Sequence, residues 1–222
     1  MLAIPQVLDD DELKIIQTTL VDADFADGQF TAGFRAKRVK HNQQLKRNTP
    51  DRDKLNQLII QALNRNVVFQ RAVIPNRIHT PLFSRYRSGM DYGWHVDDAL
   101  MNKPETIRTD VSITLFLTDA EAYEGGELVV RGALGEQMIK LDRGDAIVYP
   151  ASTLHRVAPV TRGERCVAVT WAQSVIRDSA RREVIFELDR VRRAMHTNLP
   201  DLEETDVAHK VYANLLRMWC DL

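Results

Sequence analysis

From about Thr80 the hydrophobic pattern stops following a helical period and alternates with period two as far as Trp171. Leu82–Tyr86, Asp110–Leu117, Glu127–Arg131, Gln137–Lys140, Asp145–Tyr149, His155–Val157 and Glu164–Trp171 each read as a short strand. Gly125-Gly126, Gly132, Gly135, Gly144 and a turn at Thr161-Arg162-Gly163 punctuate them. Many short strands separated by turn residues close most readily as an antiparallel sandwich or barrel. The expected fold is mainly β with flanking helices, a double-stranded β-helix (jelly roll) core plus a C-terminal helical appendage. Such a core has a mouth at one end where side chains of several strands converge.

The flanks read differently. Asp9, Asp10 and Asp11 precede a helix-spaced stripe of Leu13, Ile16 and Leu20, and acidic residues favour a helix N-terminus. A loop with Gly28 and Gly33 and an aperiodic basic segment, Arg35 to Lys46, come next. Pro50 and Asp51 then open a second helix with Leu55, Leu58, Ile59 and Ala62 on one face. Both helices are expected on the outside of a sheet. Beyond the strands, Asp178–Thr197 carries Val184, Ile185, Leu188, Val191 and Met195 at helical spacing. Asn198-Leu199-Pro200-Asp201 breaks it, and a last helix presents Val211, Tyr212, Leu215, Leu216 and Trp219. The organisation expected is N-terminal helices over 1–79, the jelly-roll core over 80–177 and the helical appendage over 178–222. The appendage has an apolar face suited to the sheet or to a second subunit, so a homo-oligomer through the C-terminal helices stays open. Arginines 181, 182, 190, 192 and 193 read as a solvated helix face.

Composition narrows the function class. A net charge of -1 over 222 residues leaves no electrostatic footprint for nucleic acid or an anionic membrane. No apolar run approaches the length of a membrane span, and the N-terminus lacks the basic and apolar regions of a signal peptide. Cys166 and Cys220 form no disulfide framework. A cytoplasmic protein acting on a small-molecule or peptide substrate is the expectation.

His95-Val96-Asp97 carries the chemistry. Side chains two apart on a strand share a face, so an imidazole and a carboxylate would point the same way. With His155 from a remote strand they make two histidines and one carboxylate, the ligand set of non-haem Fe(II) oxygenases. Taken alone, the same residues also read as a solvated turn after Trp94 and a satisfied polar residue at a strand start. Arg165 alternates with Val167, Val169 and Trp171, the larger apolar face of its strand, and so is expected to point inward. A guanidinium cannot shed its charge and is costly to bury without an anionic partner, for which a bidentate carboxylate is the best match. An internal salt bridge, or the reverse face, is the alternative. A hairpin at 161–163 would set Arg165 near His155 on a neighbouring strand. Trp171 reads as core packing, and Trp94 stays open between pocket wall and packing.

His95-Val96-Asp97, His155 and Arg165 ten residues further on resemble the Fe(II)- and 2-oxoglutarate-dependent dioxygenases. Tyr86 in Tyr-Arg-Ser-Gly, Gly125-Gly126-Glu127-Leu128 and Gly163-x-Arg165 resemble the prolyl-4-hydroxylase branch. Chain length, N-terminal helices and helical tail together look like the bacterial PKHD-type hydroxylases. The resemblance implies Fe(2+) held by His95, Asp97 and His155, and 2-oxoglutarate held by Arg165 and Tyr86. It also implies hydroxylation of a substrate C–H with release of succinate and CO2, and it leaves L-ascorbate open as a further cofactor. Animal collagen-type enzymes place a lysine where this chain has Arg165, so their substrate does not carry over. A cupin-like metal oxygenase that does not use 2-oxoglutarate and a non-catalytic iron or 2-oxoglutarate sensor are the rival readings.

Overall fold

The computed structural model describes residues 1–31, 33, 36–102 and 105–221. Arg35, the first residue of the basic segment, lies outside them. Two antiparallel sheets face one another. The larger has the order Leu2–Ile4, Ala146–Pro150, Val111–Phe116, Val160–Ser174, Leu82–Arg87, Gln43–Leu45 and Phe25–Asp27, with Tyr123–Gly125 and Pro75–Ile78 pairing onto Val160–Ser174. The smaller runs Gly135–Ile139, Leu128–Gly132, His155–Val157, Asp91–His95 and Lys40–His41. This is the jelly-roll arrangement expected from the strand pattern.

Alternation on the central strands decides what lies on each side of the larger sheet. Val111, Ile113 and Leu115 face outward and pack with Phe83, Ala168 and Ala172 against the N-terminal helices. Those helices supply Leu13, Ile16, Leu20, Leu55, Ile59 and Leu63 to that layer. The inner face contributes Tyr86, Phe116 and Val167, which meet Leu128, Val130 and Val157 of the smaller sheet. Helix Asp10–Val21 starts where the acidic run predicts: Asp9 accepts the Glu12 N–H at 2.9 Å and Glu12 accepts the Asp9 N–H at 3.0 Å.

The first 79 residues also supply strands that the pattern did not suggest. Leu2–Ile4 extends the larger sheet, and the basic segment becomes two short strands, Lys40–His41 at the edge of the smaller sheet and Gln43–Leu45 in the larger, between Leu82–Arg87 and Phe25–Asp27. Strands of two or three residues carry too few alternations to register as a period. A short helix, Val67–Val73, was hidden for the same reason.

The hairpin expected at Thr161-Arg162-Gly163 does not form. These residues lie inside the strand Val160–Ser174, with Gly163 opposite Tyr123. The chain changes sheet earlier, at Ala158 and Pro159: Ala158 N–H donates to Glu127 and Val160 N–H to Met90. Pro159 has no N–H to continue a ladder. His155 and Arg165 therefore sit on opposing sheets and not on neighbouring strands.

Helix Ser179–Asn198 begins at an Asp178 cap. Its expected stripe is shifted: Ile185 is buried, but Val184 and Val191 are exposed. The solvated arginine face is also incomplete. Arg182 is buried and donates to the Ile176 and Arg177 carbonyls, while Arg192 and Arg193 pair with buried Asp189. Among the described residues, no helix is long and apolar enough to cross a membrane.

Gly125 fixes where the chain leaves Tyr123–Gly125 for the smaller sheet. Its φ is +68°, and a Cβ there would lie 2.0 Å from the Pro159 carbonyl oxygen. Gly125→Ala combines left-handed strain with a backbone clash and is expected to cost about 2 kcal/mol or more. Urea denaturation of the variant beside the parent chain measures it; an unchanged midpoint would contradict this packing.

Candidate active site

Between the sheets lies a cavity lined by His95, Asp97 and His155 on one side and by Tyr86, Arg165 and Trp171 on the other. His155 stands directly opposite His95 in the smaller sheet. The two rings lie 4.2 Å apart between centroids. Tyr92 stacks on His95 at 3.6 Å, and Tyr149 meets the edge of His155 at 5.2 Å. Ring orientation is thus fixed by packing on both sides.

Hydrogen bonds fix the tautomers as well. His95 Nδ1 lies 2.8 Å from the Gly93 carbonyl and His155 Nδ1 lies 2.9 Å from the Thr153 carbonyl. A carbonyl oxygen only accepts, so each Nδ1 carries the proton and each Nε2 is left with its lone pair. Burial, reinforced by the neighbouring His155, lowers the His95 pKa to about 4. The ring is therefore neutral near pH 7, the form a metal requires.

Asp97 arrives differently from the same-face strand placement expected. The strand Asp91–His95 ends at His95, and Asp97 lies in the irregular segment beyond it. Ser112 Oγ donates to Asp97 Oδ2, which leaves Oδ1 facing His155 Nε2 at 3.8 Å. One ligand atom from each of the three residues lies within 4.8 Å of the others. Two fixed imidazole lone pairs and one free carboxylate oxygen suit a divalent metal and leave coordination positions open.

Across the cavity, Arg165 is 1% exposed and points inward, as alternation predicts. Its register partner is Tyr86. The guanidinium carbon lies 5.1 Å from the Tyr86 ring and 5.5 Å from the Phe116 ring. Nε and Nη1 are buried without a hydrogen-bond partner, and among the described residues no carboxylate comes within salt-bridge distance. That disposes of the internal ion pair as an alternative. Each unmatched buried donor costs about 1–3 kcal/mol, so the chemistry of the site calls for a planar anion. Burial raises the Tyr86 pKa, so its hydroxyl keeps the proton as a donor.

Sequence reasoning missed several cavity residues. Ser112 and Thr114 alternate with Val111, Ile113 and Leu115, a polar face opposite an apolar one that could have signalled an inward orientation. Tyr92, Tyr149, Lys40, Asn42 and Gln44 carried no comparable signal. Trp171 lines the cavity, whereas packing was the expectation; its Nε1 is buried without a partner. Trp94 lies between Arg131 and Arg156, 4.4 and 5.1 Å from its ring, and does not line the cavity.

Residues 81–173 match the 2OG-Fe(II) oxygenase superfamily, and residues 178–221 match the PKHD-type hydroxylase C-terminal domain. A PKHD-type hydroxylase of Picosynechococcus is 51% identical over 218 residues, 98% of each chain. Another, from a Synechococcus strain, is 48% identical over 223 residues and all of both chains. Among solved structures, a Pseudomonas putida prolyl-4-hydroxylase superposes with a TM-score of 0.52 at 18% identity, covering 78% of this chain and 91% of that one. A Trichoplax adhaerens prolyl hydroxylase, solved with a hypoxia inducible factor peptide, gives 0.55 at 14% identity, covering 77% and 82%. These structures share the fold, and the full-length relatives carry the assignment: this chain belongs to the PKHD-type hydroxylases, Fe(II)- and 2-oxoglutarate-dependent dioxygenases.

Proposed function

We propose that His95 Nε2, His155 Nε2 and Asp97 Oδ1 are the protein's iron ligands and that Arg165 and Tyr86 hold the far carboxylate of 2-oxoglutarate. The observation that carries this reading is the buried, unmatched Arg165 guanidinium on the wall opposite the three convergent ligand atoms. When bound, iron and 2-oxoglutarate together supply the oxidising chemistry, with succinate and CO2 as by-products of hydroxylation.

The chain's own residues do the positioning. Gly93 and Thr153 carbonyls keep both imidazoles facing one point, and Ser112 holds Asp97 to a single free oxygen. Two neutral histidines and one carboxylate leave a single positive charge on a ferrous ion. Arg165 gives the bidentate donor pair that matches a carboxylate, and Tyr86 adds a hydroxyl donor. The aromatic rings of Tyr86 and Phe116 keep water from the guanidinium. The primary substrate is a small molecule or a peptide. We also assign residues 80–177 to this catalytic unit, with the helices on either side as support.

Anaerobic addition of Fe(II) and 2-oxoglutarate to the purified protein is expected to give a visible charge-transfer band, and no band would reject joint chelation. Asp97→Ala is expected to abolish both the band and succinate formation while circular dichroism stays unchanged; full turnover would remove Asp97 from the ligand set. For Arg165→Ala, 2-oxoglutarate affinity is expected to fall about 100-fold, the loss of a paired charge-assisted contact, with iron affinity little changed. An unchanged 2-oxoglutarate affinity would take Arg165 out of the site. Ser112→Ala is expected to weaken metal binding about 10-fold or more by freeing Asp97, read by titration with Co(II); equal affinity would show that the hydroxyl does not hold the ligand.

A further inference from the structure

The C-terminal helices Ser179–Asn198 and Glu203–Trp219 pack against each other as an antiparallel pair. Arg192 meets the Tyr212 ring at 4.0 Å, Arg181 meets the Trp219 ring at 5.6 Å, and the His196 and His209 rings stand 5.5 Å apart. These contacts fix the antiparallel sense and the sides that face each other. Helix Ser179–Asn198 also turns a side to the body of the protein, where Arg182, Ile185 and Asp189 are buried and Asp189 lies 3.6 Å from Arg71. Helix Glu203–Trp219 is far less covered: of its 17 residues, Thr205 alone is buried. A helix of that length is marginal in water by itself, and burial of an apolar face supplies most of the stability of helices in proteins.

Successive residues of a helix lie about 100° apart, which places the remaining apolar side chains. Val184, Leu188, Val191 and Met195 form one stripe of the first helix, on the side turned away from Arg182 and Asp189. Val211, Leu215 and Met218 form a stripe of the second, turned away from His209. In an antiparallel pair of right-handed helices these two stripes fall on the same outer side, away from the body of the protein. Val184 is 47% exposed, Val191 53%, Val211 41% and Met218 71%. Single exposed apolar side chains are ordinary, whereas a continuous stripe over two neighbouring helices marks a surface that binds.

The charges beside the stripes point to what covers them. Exposed Glu183 and Glu187 flank the stripe of the first helix, and exposed Arg217 flanks that of the second. We infer that a second copy of this chain docks on this face, the two helical pairs stacking about a twofold axis parallel to the helices into a four-helix bundle. Ser179–Asn198 of one copy then lies over Glu203–Trp219 of the other, again antiparallel, so every neighbour in the bundle opposes its dipole. The levels set by the Arg181–Trp219 and Arg192–Tyr212 contacts carry over. At those levels Val211 sits between Val191 and Met195 of the second copy, and Arg217 stands beside its Glu183 and Glu187. The face is self-complementary in shape and in charge, as a twofold interface must be. Helices of 20 and 17 residues, about 10 Å wide and rising about 1.5 Å per residue, offer an area of the order of the roughly 800 Å² per partner of a specific interface.

Sedimentation velocity of the full chain at micromolar concentration tests this. The species expected has twice the 25.4 kDa mass of one chain. Val191→Glu combined with Val211→Glu is expected to leave a monomer with unchanged circular dichroism and unchanged succinate formation, since neither residue lines the cavity. Charge reversal tests the arrangement while the apolar stripes stay intact, and it decides the matter if the first variant does not fold. Arg217→Glu is expected to weaken dimerisation about 10-fold or more, and adding Glu183→Arg and Glu187→Arg to it is expected to restore the dimer. A pure chain that stays monomeric would overturn the inference, whatever else the face captures, and so would an assembly of three or more copies. A dimer that survives Val191→Glu with Val211→Glu would place the interface elsewhere. A triple variant that dimerises no better than Arg217→Glu alone would overturn the twofold stacking.

Discussion

Arg165 brings a permanent charge into a cavity between two sheets, and no carboxylate among the described residues meets it there. Replacing it with an apolar residue would relieve that cost, and a bound carboxylate would offset it. Much of the surrounding structure serves to keep the charge where it is. The strand Val160–Ser174 is central in the larger sheet, paired to Val111–Phe116 on one side and Leu82–Arg87 on the other. Tyr86 and Phe116, the rings beside the guanidinium, come from those two flanking strands. Gly126 lies close behind, where a Cβ would sit 3.1 Å from Arg165 Cδ. The guanidinium is therefore held in place, with Nε and Nη1 unmatched.

The opposite wall is held with equal economy. Each histidine is pinned through Nδ1 to a carbonyl only two residues away, Gly93 for His95 and Thr153 for His155. These bonds are local, and the packing of Tyr92 on His95 and of Tyr149 on His155 adds to them. Asp97 is the exception, since Ser112 belongs to the other sheet. That one hydrogen bond ties the two walls of the site together.

Legibility of the sequence followed the length of each element. The long central strands showed their faces plainly: Arg165 alternates with Val167 and Val169, and its inward direction followed from that. His95, Asp97 and His155 were readable because few residue types fill a two-histidine, one-carboxylate set. The strand carrying Ser112 showed the same alternation, and its polar face could have been taken as inward. Lys40, Asn42 and Gln44 were not readable, because a segment that turns a corner between sheets offers no run of periods. The misplaced hairpin has a physical origin too. Gly163, at φ +76°, looks like a turn residue but sits in an irregular part of a continuous strand, while Pro159 does the turning. The helical tail was found but its buried side was not, because Arg182 and Asp189 are buried there beside Ile185. Buried charge on a helix defeats a reading built on hydrophobic spacing.

Anomalous diffraction from anaerobic crystals grown with Fe(II) and 2-oxoglutarate tests the central claim most directly. The predicted result is one iron peak within bonding distance of His95 Nε2, His155 Nε2 and Asp97 Oδ1, with the cosubstrate's far carboxylate on Arg165 Nε and Nη1. An iron peak away from those three atoms, or a carboxylate from the protein itself on Arg165, would contradict it.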